Sequence, residues 1–208
     1  MDCGARDSLR ARRAPWRRLA CCFAVLGGVV NLAEGLPRAC ALAPARGGGA
    51  RACRAAADSA AHAVIAAAVW ATALAVESRR SPTRRRAAEV AAAGVAGSIM
   101  DVDHFLAAGS FRLDAALHLS RRPFGHALIA PVAALAIGRC RRPGVLCATA
   151  WLSHQLRDAL RRGLWLWPLA STPALPWRGY LCAQCALAFA AGGGIARLAP
   201  EAAARLPR

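Results

Sequence analysis

Apolar residues gather in long blocks along this chain, and polar, Arg-rich segments separate them. The blocks run from Leu19 to about Leu36, Ala55 to Val76, Ala87 to Ala108, Phe124 to Gly138, Gly144 to Leu160 and Tyr180 to Ala196. They show neither the alternation of a half-buried strand nor the stripe of an amphipathic surface helix. A membrane helix needs about 20 apolar residues, so the blocks predict an all-α, multi-pass transmembrane bundle with about four to six membrane helices.

The polar segments divide the chain into three parts. Residues 1–18 are Arg-rich and predict a disordered N-terminal arm, residues 19–197 a single membrane-embedded helical domain, and residues 198–208 a short polar tail. A basic start followed by an apolar run also fits a secretory signal. We favour a first membrane helix, because the rest of the chain is equally apolar. The Arg residues of the arm and of the 77–86 link place both on the cytosolic side, although other loops carry Arg too.

The composition agrees with a membrane protein, since 57% of the residues are hydrophobic and the mean hydropathy is +0.32. The basic residues, all of them Arg, give a formal net charge of +17. Nucleic acid is not an expected partner, because the Arg clusters lie in short links and interleave with no aromatic stacking platform. Membrane lipids are the expected partners, and the oligomeric state is left open. The nine cysteines are scattered and suggest no disulfide framework.

Four of the five histidines and four of the seven aspartates lie in or beside these apolar blocks. Most of them form three clusters, which are Asp58-x3-His62, Asp101-Val-Asp103-His104 and His154-x3-Asp158. An ionisable group inside a membrane segment costs a few kcal/mol or more unless it finds a partner, so each cluster is a candidate functional site. Carboxylate and imidazole are ligands that divalent metal ions accept. The sequence therefore predicts an intramembrane metal site.

Helical spacing supports this prediction, because residues four apart lie on one face of a helix. His126, which follows an Arg-Arg-Pro turn, adds a ligand from the next segment. The predicted ligands are Asp58, His62, Asp101, Asp103, His104, His126, His154 and Asp158. The expected ion is zinc, manganese or magnesium, which makes a bound water nucleophilic near neutral pH. We assign Asp103 as a general base and Arg122 as the group that holds an anion.

Several of these motifs carry a resemblance to a known family. They are Gly97-Ser-Ile-Met-Asp-Val-Asp-His-Phe105, Arg121-Arg-Pro-Phe-Gly-His126, and Ser153-His-Gln-Leu-Arg-Asp158 followed by Gly163-Leu-Trp-Leu-Trp-Pro168. Over roughly residues 55 to 185 the chain resembles the transmembrane protein 267 family of small animal multi-pass membrane proteins. That family has no assigned biochemistry, so the resemblance implies a membrane fold and no reaction.

The same order of motifs is similar to bacterial inner-membrane metal-dependent hydrolases that are regulated by LexA. Their pattern is an early His, an Asp-x-Asp-His, a His-Arg-Gly-x-Thr-His and a His-x3-Asp-x4-Gly-x4-Pro. The matching positions here are His62, Asp101, Asp103, His104, Arg122, His126, His154, Asp158, Gly163 and Pro168. Arg121 replaces the first His of the third motif and Gly125 replaces its Thr. The resemblance therefore implies a helical fold and a ligand set, with one ligand and one hydroxyl lost.

Three functions follow from these observations. The first is a metal-dependent hydrolase of a membrane-proximal ester or phosphoester, whose substrate is a lipid or a phosphoester. The alternative is a non-catalytic membrane protein whose Asp/His centre holds the bundle together or binds a partner. A metal or proton carrier is disfavoured, because its ionisable groups would spread through the membrane, whereas these bunch toward one helix end. The endoplasmic reticulum or another internal membrane is the default location.

Overall fold

The structure, a computed structural model, describes residues 3–42, 48–77, 82–138 and 141–204. The helices are α1 (Cys3–Leu42), α2 (Gly48–Glu77), α3 (Thr83–Ile99), α4 (Val102–Ala108), α5 (Leu113–Leu117), α6 (Ile129–Gly138), α7 (Arg142–Arg162) and α8 (Trp177–Ala204). A 3-10 turn at Phe124–His126 precedes α6, and a hairpin of β1 (Trp165–Leu166) and β2 (Ala170–Ser171) precedes α8. The prediction of an all-α fold is confirmed, apart from this small hairpin.

Four segments of the described chain are long and apolar enough to cross a membrane. They are Ala20–Cys40, Gly48–Glu77, Thr83–Ala108 and Trp177–Arg197. Helix α7 is not among them because of its charged residues, and it packs instead against α2, α3, α6 and α8. Helix α6 has 10 residues and is too short to span. The protein is therefore a multi-pass membrane bundle, at the lower end of the predicted number of helices.

Most of the predicted N-terminal arm and part of the predicted tail belong to helices. Helix α1 begins at Cys3 and so includes residues 3–18 of the predicted arm, while α8 continues to Ala204 and includes part of the predicted tail. Residues 1–2 and 205–208 lie outside the described residues. The division into arm, domain and tail stays a prediction.

The apolar core lies on both sides of α2. Towards α1 and α8, the buried cluster contains Leu26, Val30, Ile65, Val69 and Tyr180. Towards α3, α7 and the end of α8, a second cluster contains Trp70, Leu74, Val145, Leu146 and Ile195. Helix α2 is thus the central helix of the bundle.

One arginine shows how the helices are oriented around α2. The Arg142 guanidinium, at the start of α7, lies 2.8 Å from Glu77 Oε1 at the end of α2 and 2.8 Å from Glu89 Oε1 near the start of α3. Helices α3 and α7 therefore both run antiparallel to α2. Their C-terminal ends meet the first half of α2, which carries Asp58 and His62. This arrangement brings the three predicted clusters together.

The apolar block that predicted one helix over residues 87–108 contains a break. Helix α3 ends at Ile99, and α4 begins at Val102 after a turn through Met100 and Asp101. The aspartates and histidine of this block therefore lie where i→i−3 hydrogen bonds, from Asp103 to Met100 and from His104 to Asp101, interrupt the α-helical pattern.

Helices α2 and α3 approach closely because small residues line their contact. A Cβ atom placed on Gly97 would lie 2.5 Å from the Cβ of Ala66 and 3.2 Å from the carbonyl oxygen of His62. Small residues at such contacts let membrane helices pack backbone to backbone. Gly97 therefore sets the distance between the two helices beside the histidines.

We expect Gly97→Ala to lower the free energy of unfolding by about 1–3 kcal/mol, the usual cost of overpacking a tight contact. The control is Gly28→Ala on α1, because a Cβ there has nothing within 4 Å. That substitution should be neutral or slightly stabilising, since Ala favours helices over Gly. Thermal unfolding of both variants in detergent measures the difference, and equal melting temperatures would contradict the close approach.

A disulfide joins Cys40 near the end of α1 to Cys53 in the first turns of α2. The cysteine spacing had not indicated this pair. It ties α1 to the same half of α2 that carries Asp58 and His62.

Candidate metal centre

Four histidines from four segments meet at the end of the bundle where α3 and α7 end. They are His62 on α2, His104 on α4, His126 in the 3-10 turn and His154 on α7. The rings of His62 and His154 stack with their centroids 3.7 Å apart, and the His126 ring lies edge-on to His154 at 5.0 Å. The Nε2 atoms of His126 and His154 are 3.1 Å apart. The rings of His62, His126 and His154 therefore lie against one another.

Asp158 lies among three of these imidazoles. Its Oδ1 is 3.5 Å from His62 Nε2, and its Oδ2 is 3.5 Å from His126 Nε2 and 3.8 Å from His154 Nε2. Asp101 approaches from α3's end, with Oδ1 3.7 Å from His154 Nε2. These distances exceed the 2.7–3.2 Å or so of an N–H···O hydrogen bond. Two ligands of one tetrahedral zinc, each about 2.0–2.1 Å from it, lie roughly 3.3–3.4 Å apart, so the spacing fits metal ligands better.

The outward-facing nitrogens of two histidines donate hydrogen bonds. His154 Nδ1 donates to the Gly97 carbonyl at 2.8 Å, and His126 Nδ1 donates to Asp103 Oδ2 at 3.0 Å. Because a carbonyl and a carboxylate only accept, Nδ1 carries the proton and Nε2 keeps its lone pair towards the centre. Histidines that bind metals usually show this arrangement, in which a second residue fixes the ring. His104 Nδ1 also lies close to Asp103, 3.1 Å from Oδ1.

His62 supplies a test of whether these residues fit a metal ion. It is 2% exposed, and neither ring nitrogen has a hydrogen-bond partner among the residues that the structure describes. A buried polar group left this way costs about 1–3 kcal/mol, and an ion or water is a common explanation. A ligand for Nε2 would remove that cost. The donor set suits a divalent metal, in two neighbouring groups: His62, His154 and Asp158, and Asp101, His104 and His126.

Six of the eight predicted ligands therefore belong to these groups, and two lie beside them. Both oxygens of Asp103 face histidine nitrogens, so the carboxylate is placed to orient His104 and His126. Asp58 shares a helix with His62, but its carboxylate pairs with Arg157 and Arg161, each at 2.8 Å. The roles of Asp58 as a ligand and of Asp103 as a ligand and base stay predictions.

Gly125 lies against the carboxylate that orients His126. A Cβ atom at this position would lie 2.5 Å from Asp103 Oδ2, the oxygen that accepts from His126, so a larger residue would require that carboxylate to shift. The Gly125 carbonyl accepts hydrogen bonds from Trp151 Nε1 at 2.8 Å and Gln155 Nε2 at 2.9 Å. No sequence pattern indicated these two α7 side chains, which hold the segment that presents His126.

Arg122 lies next to the centre and contacts the end of α7. Its guanidinium donates to the carbonyls of Arg162, at 2.7 Å, and Gly163, at 3.3 Å. Burial, together with the Arg162 charge, lowers the pKa of Arg122, which still remains protonated at neutral pH. A cavity of about 10 Å³, roughly the room for one water, lies between Arg122, His104, His126 and Asp158. The predicted role of Arg122 in holding an anion fits this position and stays a prediction.

A much larger cavity, of about 750 Å³, opens on the other side of the centre. Its polar end contains Asp101, His104 and Asp158, and the rest of it runs between α2, α3, α4 and α5. The centre is therefore buried at one side and reachable at the other, as a site that receives a ligand requires.

Known proteins similar to this chain come from animals and share one name. The chain is 38% identical over 146 residues to Transmembrane protein 267 of Xenopus laevis, a match that covers 64% of this chain and 65% of that protein. It is 34% identical over 145 residues to the Mus musculus protein of the same name, with the same coverage of both. The Bos taurus protein is 35% identical over 140 residues, which is 62% of each chain.

These matches span just under two thirds of the relatives' own length. No protein-family model matches the chain, and no solved structure matches it. The relatives named above do not include the bacterial hydrolases, so that resemblance stays a prediction. The chain is thus a transmembrane protein similar, over 64% of its length, to an animal protein named Transmembrane protein 267.

Proposed function

We propose that this protein binds a divalent metal ion in its membrane domain and uses it to hydrolyse an ester or phosphoester at the membrane. One observation carries the proposal: the Nε2 atoms of His62, His126 and His154 converge on the Asp158 carboxylate from three different segments. The acceptors of His126 and His154 lie behind the rings, at Nδ1, so that their Nε2 atoms point inward and lie 3.1 Å apart beside Asp158. His62 has no hydrogen-bond partner among the described residues, which supports a shared ligand for the inward nitrogens.

A divalent ion bound here would make a water nucleophilic and polarise the oxygen of the bond to be cleaved. The protein's own residues have two tasks, which are to hold the ligand geometry and to accept a proton. Asp103 and the Gly97 carbonyl fix the rings. The proton acceptor has to face the large cavity, and Asp101 does so, whereas both oxygens of Asp103 face histidines.

The reaction consumes one water molecule. Its oxygen forms a bond to the phosphorus or carbonyl carbon, the bond from that atom to the leaving oxygen breaks, and a proton passes to the leaving alcohol. Arg122 and Arg162 stand beside the small cavity, where their guanidinium groups suit the negative charge of a phosphoryl group. This charge favours a phosphoester over a neutral ester.

The test begins with elemental mass spectrometry on the full chain purified in detergent, before and after chelation and reloading. The same samples are then assayed with para-nitrophenyl phosphate, its diester and a para-nitrophenyl acyl ester. We expect near-stoichiometric metal and hydrolysis that chelation abolishes and reloading restores. Folded protein without metal would overturn the whole proposal. Bound metal without turnover of any ester would overturn the hydrolase and leave a metal-binding membrane protein.

Asp103→Asn should weaken metal binding by about 10–100-fold, the usual effect of removing a residue that orients a ligand. Asp103 turns a different oxygen to each of His104 and His126, whereas Asn has one oxygen and would face one of the two N–H groups with its own NH2 donor. The measurement is a competition titration against a metallochromic chelator. Asp114→Asn on α5 is the control, since Asp114 pairs with Arg51 at an exposed site. Equal metal affinities of the Asp103→Asn and Asp114→Asn proteins would show that Asp103 does not support the metal site.

A further inference from the structure

We propose that the large cavity receives the hydrocarbon chain of a single-chain lipid phosphate, with the phosphate at the metal centre. This inference rests on the proposed function and names its substrate class. It depends on the lining of the cavity, its position relative to the membrane, and the charges at its polar end.

The cavity has the size and lining of a site for a hydrocarbon chain. Its volume of about 750 Å³ falls in the range of roughly 300–1,000 Å³ that small-molecule sites occupy. Away from the centre, the lining is apolar and includes Val95, Ile99, Val102, Phe105, Leu113 and Leu117. A fully polar substrate would leave this surface without a complementary group.

The cavity also opens beside two candidate membrane spans. It lies between α2 and α3, which belong to the candidate spans Gly48–Glu77 and Thr83–Ala108. Ala56 on α2 and Val95 and Ile99 on α3 line it and are exposed, so the described part of the chain leaves its side open. A chain already in the bilayer can enter there without crossing water, and its head then reaches the end of the cavity.

Charges at that end select the headgroup. The carboxylates of Asp58, Asp101 and Asp158 line this end together with the guanidinium groups of Arg161 and Arg162. Arg161 lies 2.8 Å from Asp58 and 3.8 Å from Asp158, so Arg162 is the lining arginine without an acidic partner among the described residues. Without metal, the carboxylates outnumber the guanidinium groups and make this end unfavourable for a phosphate. One or two divalent ions reverse the sign of the charge, and Arg162 then adds a donor for phosphate oxygens. The binding of an anionic head should therefore require metal.

The experiment measures binding of tritiated hexadecylphosphonate, an analogue of hexadecyl phosphate whose P–C bond the proposed hydrolysis does not cleave, to the full chain in phosphatidylcholine nanodiscs, with empty nanodiscs subtracted. The metal-loaded protein should bind it saturably, and chelation should remove the binding. Inorganic phosphate, which lacks the chain, should compete at least about tenfold less well. Hexadecyltrimethylammonium, which has the chain and the opposite charge, should not compete. Competition by the cationic amphiphile, or equal competition by inorganic phosphate, would overturn the inference.

Two variants with matched controls separate the chain from the head. Ala56→Trp fills the cavity, whereas Ala60→Trp places the same ring on an exposed α2 position that does not line it. Arg162→Gln removes the free charge, whereas Arg178→Gln removes an exposed charge on α8. The first member of each pair should weaken binding by about tenfold or more and the second should not. Equal effects of the two Trp variants would contradict the site assigned to the hydrocarbon chain. Equal effects of the two Gln variants would contradict the site assigned to the phosphate.

Metal content is measured on every sample, so the two proposals can fail separately. Wild-type protein that holds metal but does not bind hexadecylphosphonate overturns the lipid phosphate as the ligand and leaves the metal centre standing. Protein without metal overturns the proposed function. In that case, any binding of hexadecylphosphonate that survives would be independent of metal, and it would also overturn the role of metal in reversing the charge at the polar end.

Discussion

Asp158→Asn is expected to leave the purified protein without bound metal while the bundle stays folded. Among the described residues, Asp158 has the carboxylate that approaches three histidine Nε2 atoms, at 3.5, 3.5 and 3.8 Å. The amide keeps the size of the side chain but removes its charge. The loss of affinity should exceed about 100-fold, because even residues that only orient a ligand contribute 10–100-fold.

The measurement is metal per chain by elemental mass spectrometry, with size-exclusion chromatography and the melting temperature as checks on folding. Asp58→Asn is the comparison variant. Helical spacing predicts that Asp58 is a ligand of the same site, whereas in the structure its carboxylate pairs with Arg157 and Arg161. From the structure we therefore expect the Asp58→Asn protein to retain its metal. A folded Asp158→Asn protein with full metal content would exclude the centre described here.

Helices and polar clusters could be predicted from the sequence because both depend on local patterns. A run of apolar residues indicates a membrane helix wherever its neighbours lie, and an aspartate in such a run needs a partner whatever that partner is. These two patterns predict six residues that the structure brings together in two groups. They also predict four to six membrane helices, a range that includes the four candidate spans of the described chain.

The partners of the individual charged residues could not be predicted, since they depend on how segments distant in the sequence meet. Asp58 and His62 share a helix face by spacing, yet Asp58 pairs with arginines about 100 residues later in the chain. Glu34 pairs in the structure with Arg157, 123 residues away. The break at Met100 could not be predicted either, because the apolar residues continue through it. Beside this break, Asp101 and Asp103 face histidines from other segments, His154 and His126.

Arg157→Met is expected to lower the free energy of unfolding by about 3–5 kcal/mol, the cost of breaking a buried ion pair by removing one partner. Arg157 is 2% exposed, and its guanidinium lies 2.9 Å from Glu34 Oε1 on α1 and 2.8 Å from Asp58 Oδ1 on α2. Met fills a similar volume but leaves Glu34 without a counter-charge. The effect should fall nearer the lower value, because Asp58 keeps Arg161.

Thermal unfolding in detergent measures this cost, and two further variants assign it. Arg161→Met removes a half-exposed charge from the same network and should change stability by no more than about 1 kcal/mol. The double variant Glu34→Gln/Arg157→Met should recover part of the lost free energy of unfolding, because it no longer has a Glu34 carboxylate without a counter-charge. If Arg157→Met is no less stable than Arg161→Met, the charge network does not hold α1 to the bundle. The amount of metal bound per folded chain should stay unchanged in all three variants, because Arg157 supplies no ligand. An unchanged metal content would separate the role of the Arg157 ion pairs in holding α1 from the role of the metal centre beside them.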